Sequence, residues 1–237
     1  MSFLKAEWRK LAIANYEVSS EVLQEFVPYG TRLDTWQGKN YVSLVGFMFM
    51  NTKVLGVKIP FHINFEEVNL RFYVKREENT VVKRGVVFIK EIVPKPAITW
   101  VANTLYKEHY QTMPMKHEWQ HLENKLKISY DWQHKNSWYR FAVETENVAK
   151  PILTGSDTEF ITEHYWGYAQ TNSKKTNEYQ VTHPRWLAYE VLNYDIKVDF
   201  GQLYGEKFAF LNQQKPASVM LAEGSEITVE PKKTIRM

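Results

Sequence analysis

Four groups of side chains have types and spacings suited to chemistry. His117-Glu118-Trp119-Gln120-His121 matches the H-E-x-x-H pattern, in which a helix puts two histidines on one face to bind zinc and the glutamate acts as general base. Phe160-Ile161-Thr162-Glu163-His164-Tyr165-Trp166, followed by His183-Pro184-Arg185-Trp186, sets Glu163, His164 and His183 among aromatic rings. Strand alternation there points Glu163 and Tyr165 one way and His164 the other. Glu66 and Glu67 stand four or five residues before Arg71 in a stretch that alternates like a strand, so one glutamate faces the core and the other water. An inward carboxylate must pair with a cation or carry a raised pKa, and both alternatives stay open. The fourth group is Lys116, beside Met115 and Pro114.

The zinc reading has a poor setting. Pro114 lies just upstream, Lys116 precedes the first histidine, and Lys125-Leu126-Lys127-Ile128-Ser129-Tyr130 soon alternates like a strand. No third histidine follows at metzincin spacing, although Glu144, Glu146 and Glu163 lie downstream as carboxylate ligands, so no metal is expected. No P-loop, G-x-G-x-x-G or G-x-S-x-G occurs, which removes support for nucleotide hydrolysis and serine-hydrolase chemistry. The chain has no cysteine, hence no disulfide, thiolate site or cysteine nucleophile. Its 30 basic and 27 acidic residues give a formal charge of +3, and the pairs Lys83-Arg84, Lys174-Lys175 and Lys232-Lys233 are scattered among acids, so no nucleic-acid partner is expected. Without a long apolar stretch or a signal-like start, the expectation is a cytoplasmic protein with no membrane partner.

Several elements must position these groups. Phe65 to Lys75 and Val81 to Val93 form a hairpin around Glu77-Glu78-Asn79-Thr80. Ile98, Val101, Ala102, Leu105 and Tyr106 then form one stripe of a helix, with Pro96 suited to its first turn. Earlier come a strand from Lys10 to Val18, a short helix Glu21 to Phe26 capped by Ser19-Ser20, and a doubly buried run from Tyr41 to Met50. Later come strands Lys125 to Tyr130, Trp138 to Glu144, Asp157 to Ile161, Tyr165 to Ala169, Tyr179 to His183 and Leu187 to Val198. Ser218 to Glu223 and Ile227 to Glu230 read as a last hairpin about Gly224, with a polar tail from about 231. With 15% aromatic and 44% hydrophobic residues over 237 positions, the reading is one mainly β domain of α+β type with a few short helices.

Glu66-Glu67-Val68-Asn69-Leu70-Arg71, Gly85-Val86-Val87-Phe88, Phe160 to Tyr165 and His183 to Trp186, in this order, resemble the YqjF-like family of uncharacterised bacterial proteins. That family is similar to the acetoacetate decarboxylase-like fold, which implies a single antiparallel β-barrel with small helices around it. In those decarboxylases a lysine in a Pro-Lys-Lys turn forms a Schiff base with the keto acid. The resemblance lays Met113-Pro114-Met115-Lys116 on that turn, so Met115 stands at the nucleophile's position and Lys116 is the surviving lysine. It lays Arg9 on the family's arginine and Glu67 on one pocket glutamate, while the other glutamate falls in the apolar run around Leu44-Val45.

The sequence therefore points to a barrel pocket holding Arg9, Glu67, Lys116, Glu163 and His164, with His183 near them. It would take a small anionic or carbonyl-bearing metabolite, without a cofactor. Lys116 and Glu67 are the candidate catalytic residues; whether the pocket only binds or also turns over its ligand is left open. The two alternatives are an imine-forming, decarboxylase-like lyase using Lys116 and a zinc hydrolase using His117 and His121. Barrels of this superfamily often assemble, so a homo-oligomer enters by fold analogy.

Overall fold

The hairpin at the centre of the sequence is the central wall of the protein. A computed structural model describes residues 2–236. In it β4 (Phe65–Glu78) pairs antiparallel with β5 (Val81–Val93) and, at its far end, with the short β2 (Arg32–Leu33). On the side of β4 away from β5 lies β3 (Asn40–Val54), then β1 (Leu4–Val18) and β13 (Ser218–Val229). Beyond β5 come β10 (Trp166–Asn172) and β11 (Lys175–Thr182). The ring closes where Val181 and Thr182 of β11 pair with Val229 and Thr228 of β13, which leaves a seven-stranded barrel without a free edge.

Alternation along the strands separates two cores. Val45, Phe47, Phe49, Phe65 and Tyr73 point into the ring, whereas Leu44, Met48, Val68, Leu70 and Phe72 point out. The outward set is covered by a second sheet that continues from β13 through β12 (Leu187–Lys197), β9 (Ser137–Pro151), β8 (Lys125–His134) and β7 (Met115–His121). Tyr130, Trp132 and Phe141 of this sheet are buried against the barrel wall. Both faces of β3 and β4 are thus dry, which explains their dense apolar composition.

The sheet is mixed. β10 runs parallel to β5, and the short β6 (Tyr110–Thr112) also pairs parallel to β5. At the first of these pairs Gly85 lies against the next strand so closely that a Cβ would sit 2.4 Å from the carbonyl oxygen of Trp166. Gly85→Ala is accordingly expected to destabilise the protein by about 1–3 kcal/mol, read as a lower urea midpoint with unchanged slope.

Four expectations need correction. Asp157 to Ile161 is not a strand: α3 (Asp157–Thr162) begins there, with Ser156 Oγ accepting from the Glu159 amide at 3.1 Å and two acids in the first turn. The segment around Gly224 is not a hairpin but one strand, β13, with Gly224 at φ 79°. A Cβ at Gly224 would lie 2.0 Å from the Trp8 carbonyl oxygen, so only glycine fits this irregularity. The polar tail is in part a strand, β14 (Lys233–Arg236), paired with β11. The barrel is also not wholly antiparallel: β5 and β10 pair parallel within it, and β6 pairs parallel to β5 beside it. The expected helices are present as α1 (Ser20–Leu23), extended by a tighter turn to Phe26, and α2 (Pro96–Val101), which widens into a π-type turn over Ala102–Tyr106. α4 (Phe200–Tyr204) and the 3-10 turns after it, Glu206–Asn212, were not assigned from sequence.

Candidate functional site

Alternation on β4 turns Glu67, Asn69 and Arg71 into the barrel and Glu66 out of it, where His117 Nδ1 meets Glu66 Oε1 at 2.7 Å. Glu67 is buried; its carboxylate accepts from Asn69 Nδ2 at 2.9 Å and from the Tyr110 hydroxyl at 3.0 Å. On β5, Glu91 stands opposite Asn69 on one side and Tyr110 of β6 on the other. The chain leaves the helical segment at Lys107, whose φ of 65° reverses its direction and sends Glu108 inward to accept from the Tyr179 hydroxyl at 2.7 Å. Three carboxyl groups, each at most 7% exposed, thus share one end of the barrel interior.

Carboxyls cannot remain ordinary acids in that setting. Burial pushes Glu67 up to about 7, against the bonds from Asn69 and Tyr110 and the charge of Arg71. Burial does the same for Glu108, also to about 7, with the Tyr179 bond opposing and Glu67 adding to it. Glu91 is raised well above its usual value, first by burial and then by its two carboxyl neighbours. At neutral pH the cluster holds protons and offers O–H donors as well as acceptors.

The cluster lines a cavity of about 240 Å³ whose walls are apolar, built from Phe49, Phe65, Val86, Phe88 and Tyr106. Arg71 and His164 enter the same cavity. The Arg71 Nε is buried without a hydrogen-bond partner among the described residues, and the guanidinium lies 5.8 Å from the centre of the Tyr73 ring. His164 Nε2 lies 3.2 Å from Asp34 Oδ2, and Asp34 is also held by Arg84 Nε at 2.6 Å and Lys75 Nζ at 3.0 Å. Burial alone would raise the Asp34 pKa, but hydrogen bonds from His164, Arg84 and Lys75 outweigh it and hold the carboxyl well below its usual range. Burial drives His164 down to about 4, so its ring is neutral, donates from Nε2 to Asp34 and leaves a buried Nδ1 lone pair without a partner.

Of the residues singled out from sequence, Glu67, Arg71 and His164 line this cavity, whereas Arg9, Lys116, Glu163 and His183 do not. Arg9 pairs with Glu7 at 2.7 Å and lies 3.9 Å from Glu223. Glu163 accepts from Tyr165 at 2.5 Å, and His183 stacks on Trp186 at 4.1 Å between ring centres. The alternation expected for 163–165 fails because these residues follow the end of α3 rather than lie on a strand. Met115 packs against the outer core, and Lys116 is exposed with its Nζ 4.8 Å from the Trp138 ring centre. Among the described residues no lysine lines the cavity. The H-E-x-x-H residues form strand β7, where His117 and His121 are four residues, roughly 13 Å, apart along an extended chain. No group of three His, Cys, Asp or Glu side chains among the described residues is arranged to hold a metal ion. Glu91 and Glu108 are the site residues that sequence reasoning missed.

The closed barrel with a second sheet wrapped over its wall is the acetoacetate decarboxylase-like fold. An acetoacetate decarboxylase from Legionella pneumophila superposes with a TM-score of 0.67 at 12% identity, over 98% of this chain and 86% of its own. The enduracididine biosynthesis enzyme MppR, in complex with pyruvate, superposes with a TM-score of 0.64 at 8% identity, over 99% and 91%. Within that fold the chain belongs to the DUF2071 family of uncharacterized conserved proteins, whose model matches residues 5–226. The uncharacterized protein YqjF of Bacillus subtilis (strain 168) is 26% identical over 188 residues, 78% of this chain and 74% of that protein. No helix among the described residues is long and apolar enough to cross a membrane.

Proposed function

We propose that the barrel binds a small carboxylate- or ketone-bearing metabolite between Arg71 and the Glu67–Glu91–Glu108 cluster. One observation carries this reading: Arg71 presents a guanidinium to an apolar cavity, with its buried Nε unpartnered. Among the described residues that guanidinium has no ion-pair partner, only the charge of a largely protonated Glu67 nearby, and its planar fork suits a carboxylate. The protonated acids opposite supply donors for a carbonyl oxygen, which ordinary ionised glutamates could not do. A cavity of about 240 Å³ falls below the roughly 300–1,000 Å³ typical of drug-sized ligands, so the ligand is small. The pyruvate held by MppR is a molecule of this class, which supports the reading by analogy of fold.

The test is thermal stabilisation at pH 6 by a panel of short 2-oxo, 3-oxo and hydroxy acids. At least one is expected to raise the melting temperature in a saturable way; a panel without effect would count against the proposal. Binding is expected to be non-covalent. Because Lys116 lies outside the cavity, borohydride reduction in the presence of pyruvate or acetoacetate should leave no mass increment on it. A trapped adduct at Lys116 would restore the imine-forming alternative.

A further inference from the structure

The cavity is bordered by a surface whose composition the fold itself does not explain. The loop between β3 and β4 begins with a two-residue turn, Leu55-Gly56, closed by hydrogen bonds of 2.9 and 3.0 Å between Val54 and Val57. Both turn residues have positive φ, 50° and 85°, the conformation for which Asn-Gly is the usual choice. Here the first position is Leu, and it is exposed. Further along the loop Phe61 also sits at positive φ, 64°, with 87% of its surface in water. On α2, across the same cavity, Trp100 is 69% exposed, although Ala97, Ile98 and Val101 of that helix face inward to line it. Large apolar side chains at left-handed loop positions serve neither backbone preference nor burial within this chain.

These segments form one face. The Leu55 amide bonds to the Phe3 carbonyl at 2.9 Å, the Phe3 ring lies 4.9 Å from that of Tyr106, and Lys232 Nζ donates to the Leu105 carbonyl. The stretches that build the face are also rich in lysine. Residues 51–62, 94–107 and 231–233 contain Lys53, Lys58, Lys95, Lys107, Lys232 and Lys233 and no Asp or Glu, in a chain with 30 basic and 27 acidic residues overall. The acids around it are Glu108, buried in the cavity, Glu230, half-buried, Glu66, held by His117 near Lys95, and, beside Lys53 and Lys58, Glu226 and Glu7, the latter bonded to Asn51 and Arg9.

We infer that this face docks on an anionic lipid bilayer, with Leu55, Phe61 and Trp100 entering the interface and the lysines meeting the headgroups. Apolar tips and an aromatic ring ringed by lysines are the combination that an anionic membrane surface holds. A two-fold contact with a second copy through this patch would instead set lysines against lysines. Docked in this way, the cavity would open toward the bilayer. The inference does not depend on which ligand the cavity takes.

Vesicle co-sedimentation of the full chain tests it. Binding is expected to phosphatidylcholine vesicles containing about a third phosphatidylglycerol, and to be much weaker without the anionic lipid or at about 0.5 M salt. The double variant Phe61→Ser, Trp100→Ser should lower the partition coefficient at least roughly tenfold, and Lys53→Glu with Lys58→Glu should do likewise. Because all four side chains are exposed, circular dichroism and melting should stay unchanged. Failure to sediment with anionic vesicles, or sedimentation indifferent to both double variants, would overturn the inference. So would light scattering that shows a wild-type oligomer made monomeric by Phe61→Ser, Trp100→Ser, since the face would then belong to a second copy.

Discussion

Arg71→Met is expected to erase ligand-induced stabilisation while leaving the unliganded fold intact. A ligand present at 100 times its Kd contributes about 2.7 kcal/mol, which for a chain of this size moves the melting temperature by roughly 5–10 °C. Methionine fills most of the arginine's volume among the rings of the cavity but offers no charge and no donors. Arg71→Lys should retain part of the shift, because a point charge replaces a two-pronged donor. Two controls locate the effect. Arg9→Met removes a guanidinium bonded to Glu7 outside the cavity, and Lys116→Ala trims an exposed chain over Trp138; neither should change the ligand shift. A shift that survives in Arg71→Met and vanishes in Arg9→Met would move the binding site to the surroundings of Arg9 on β1.

How far the site could be read from sequence depended on the regularity of each strand. On β4 the period of two holds from Phe65 to Tyr73, so Glu67 and Arg71 fall on one face and their partnership is visible in the spacing. Choosing the inward one of Glu66 and Glu67 needed the second sheet, because both faces of β4 are dry and apolar neighbours mark neither as the core side. On β5 a register shift opposite Leu70 and Arg71 changes the parity: Val86 and Phe88 point into the barrel, and so do Glu91 and Val93, three and five residues after Phe88. Counting by twos therefore places Glu91 on the wrong face. Glu108 lies outside any periodic element, delivered by one left-handed residue at Lys107 that has no sequence signature. The apparent zinc motif shows the converse failure: its spacing is meaningful on a helix, and β7 is extended.

The second large effect concerns pH and runs opposite to the usual behaviour of acidic side chains. Glu67 and Glu108 titrate near 7 in the folded protein, against 4.5 in an unfolded chain. The folded state thus keeps protons that the unfolded state releases between those values. The associated stability is fully present below about pH 4.5 and is lost as pH rises through 7, at about 1.4 kcal/mol per pH unit for each group, or about 3 kcal/mol apiece. Asp34, held low by its three basic partners, has the opposite sign: its contribution is present above the usual aspartate range and is lost as pH falls below it. The folding free energy should therefore peak in mildly acid solution and decline toward pH 8. Glu108→Gln keeps the acceptor for Tyr179 and removes the titration, so it should match the wild type at pH 4.5 and exceed it at pH 8 by up to about 3 kcal/mol in urea unfolding. Glu67→Gln should behave alike, and the pair should gain less than the sum, because ionising one carboxyl already holds the proton on its neighbour. Equal pH profiles for wild type and both variants would mean that these carboxyls are ionised and compensated in the folded barrel. Three buried acids, at positions where glutamine is expected to be more stable, would trade folding energy for a proton-bearing wall, and such a wall is what the proposed binding of a ligand's carbonyl or carboxylate oxygen requires.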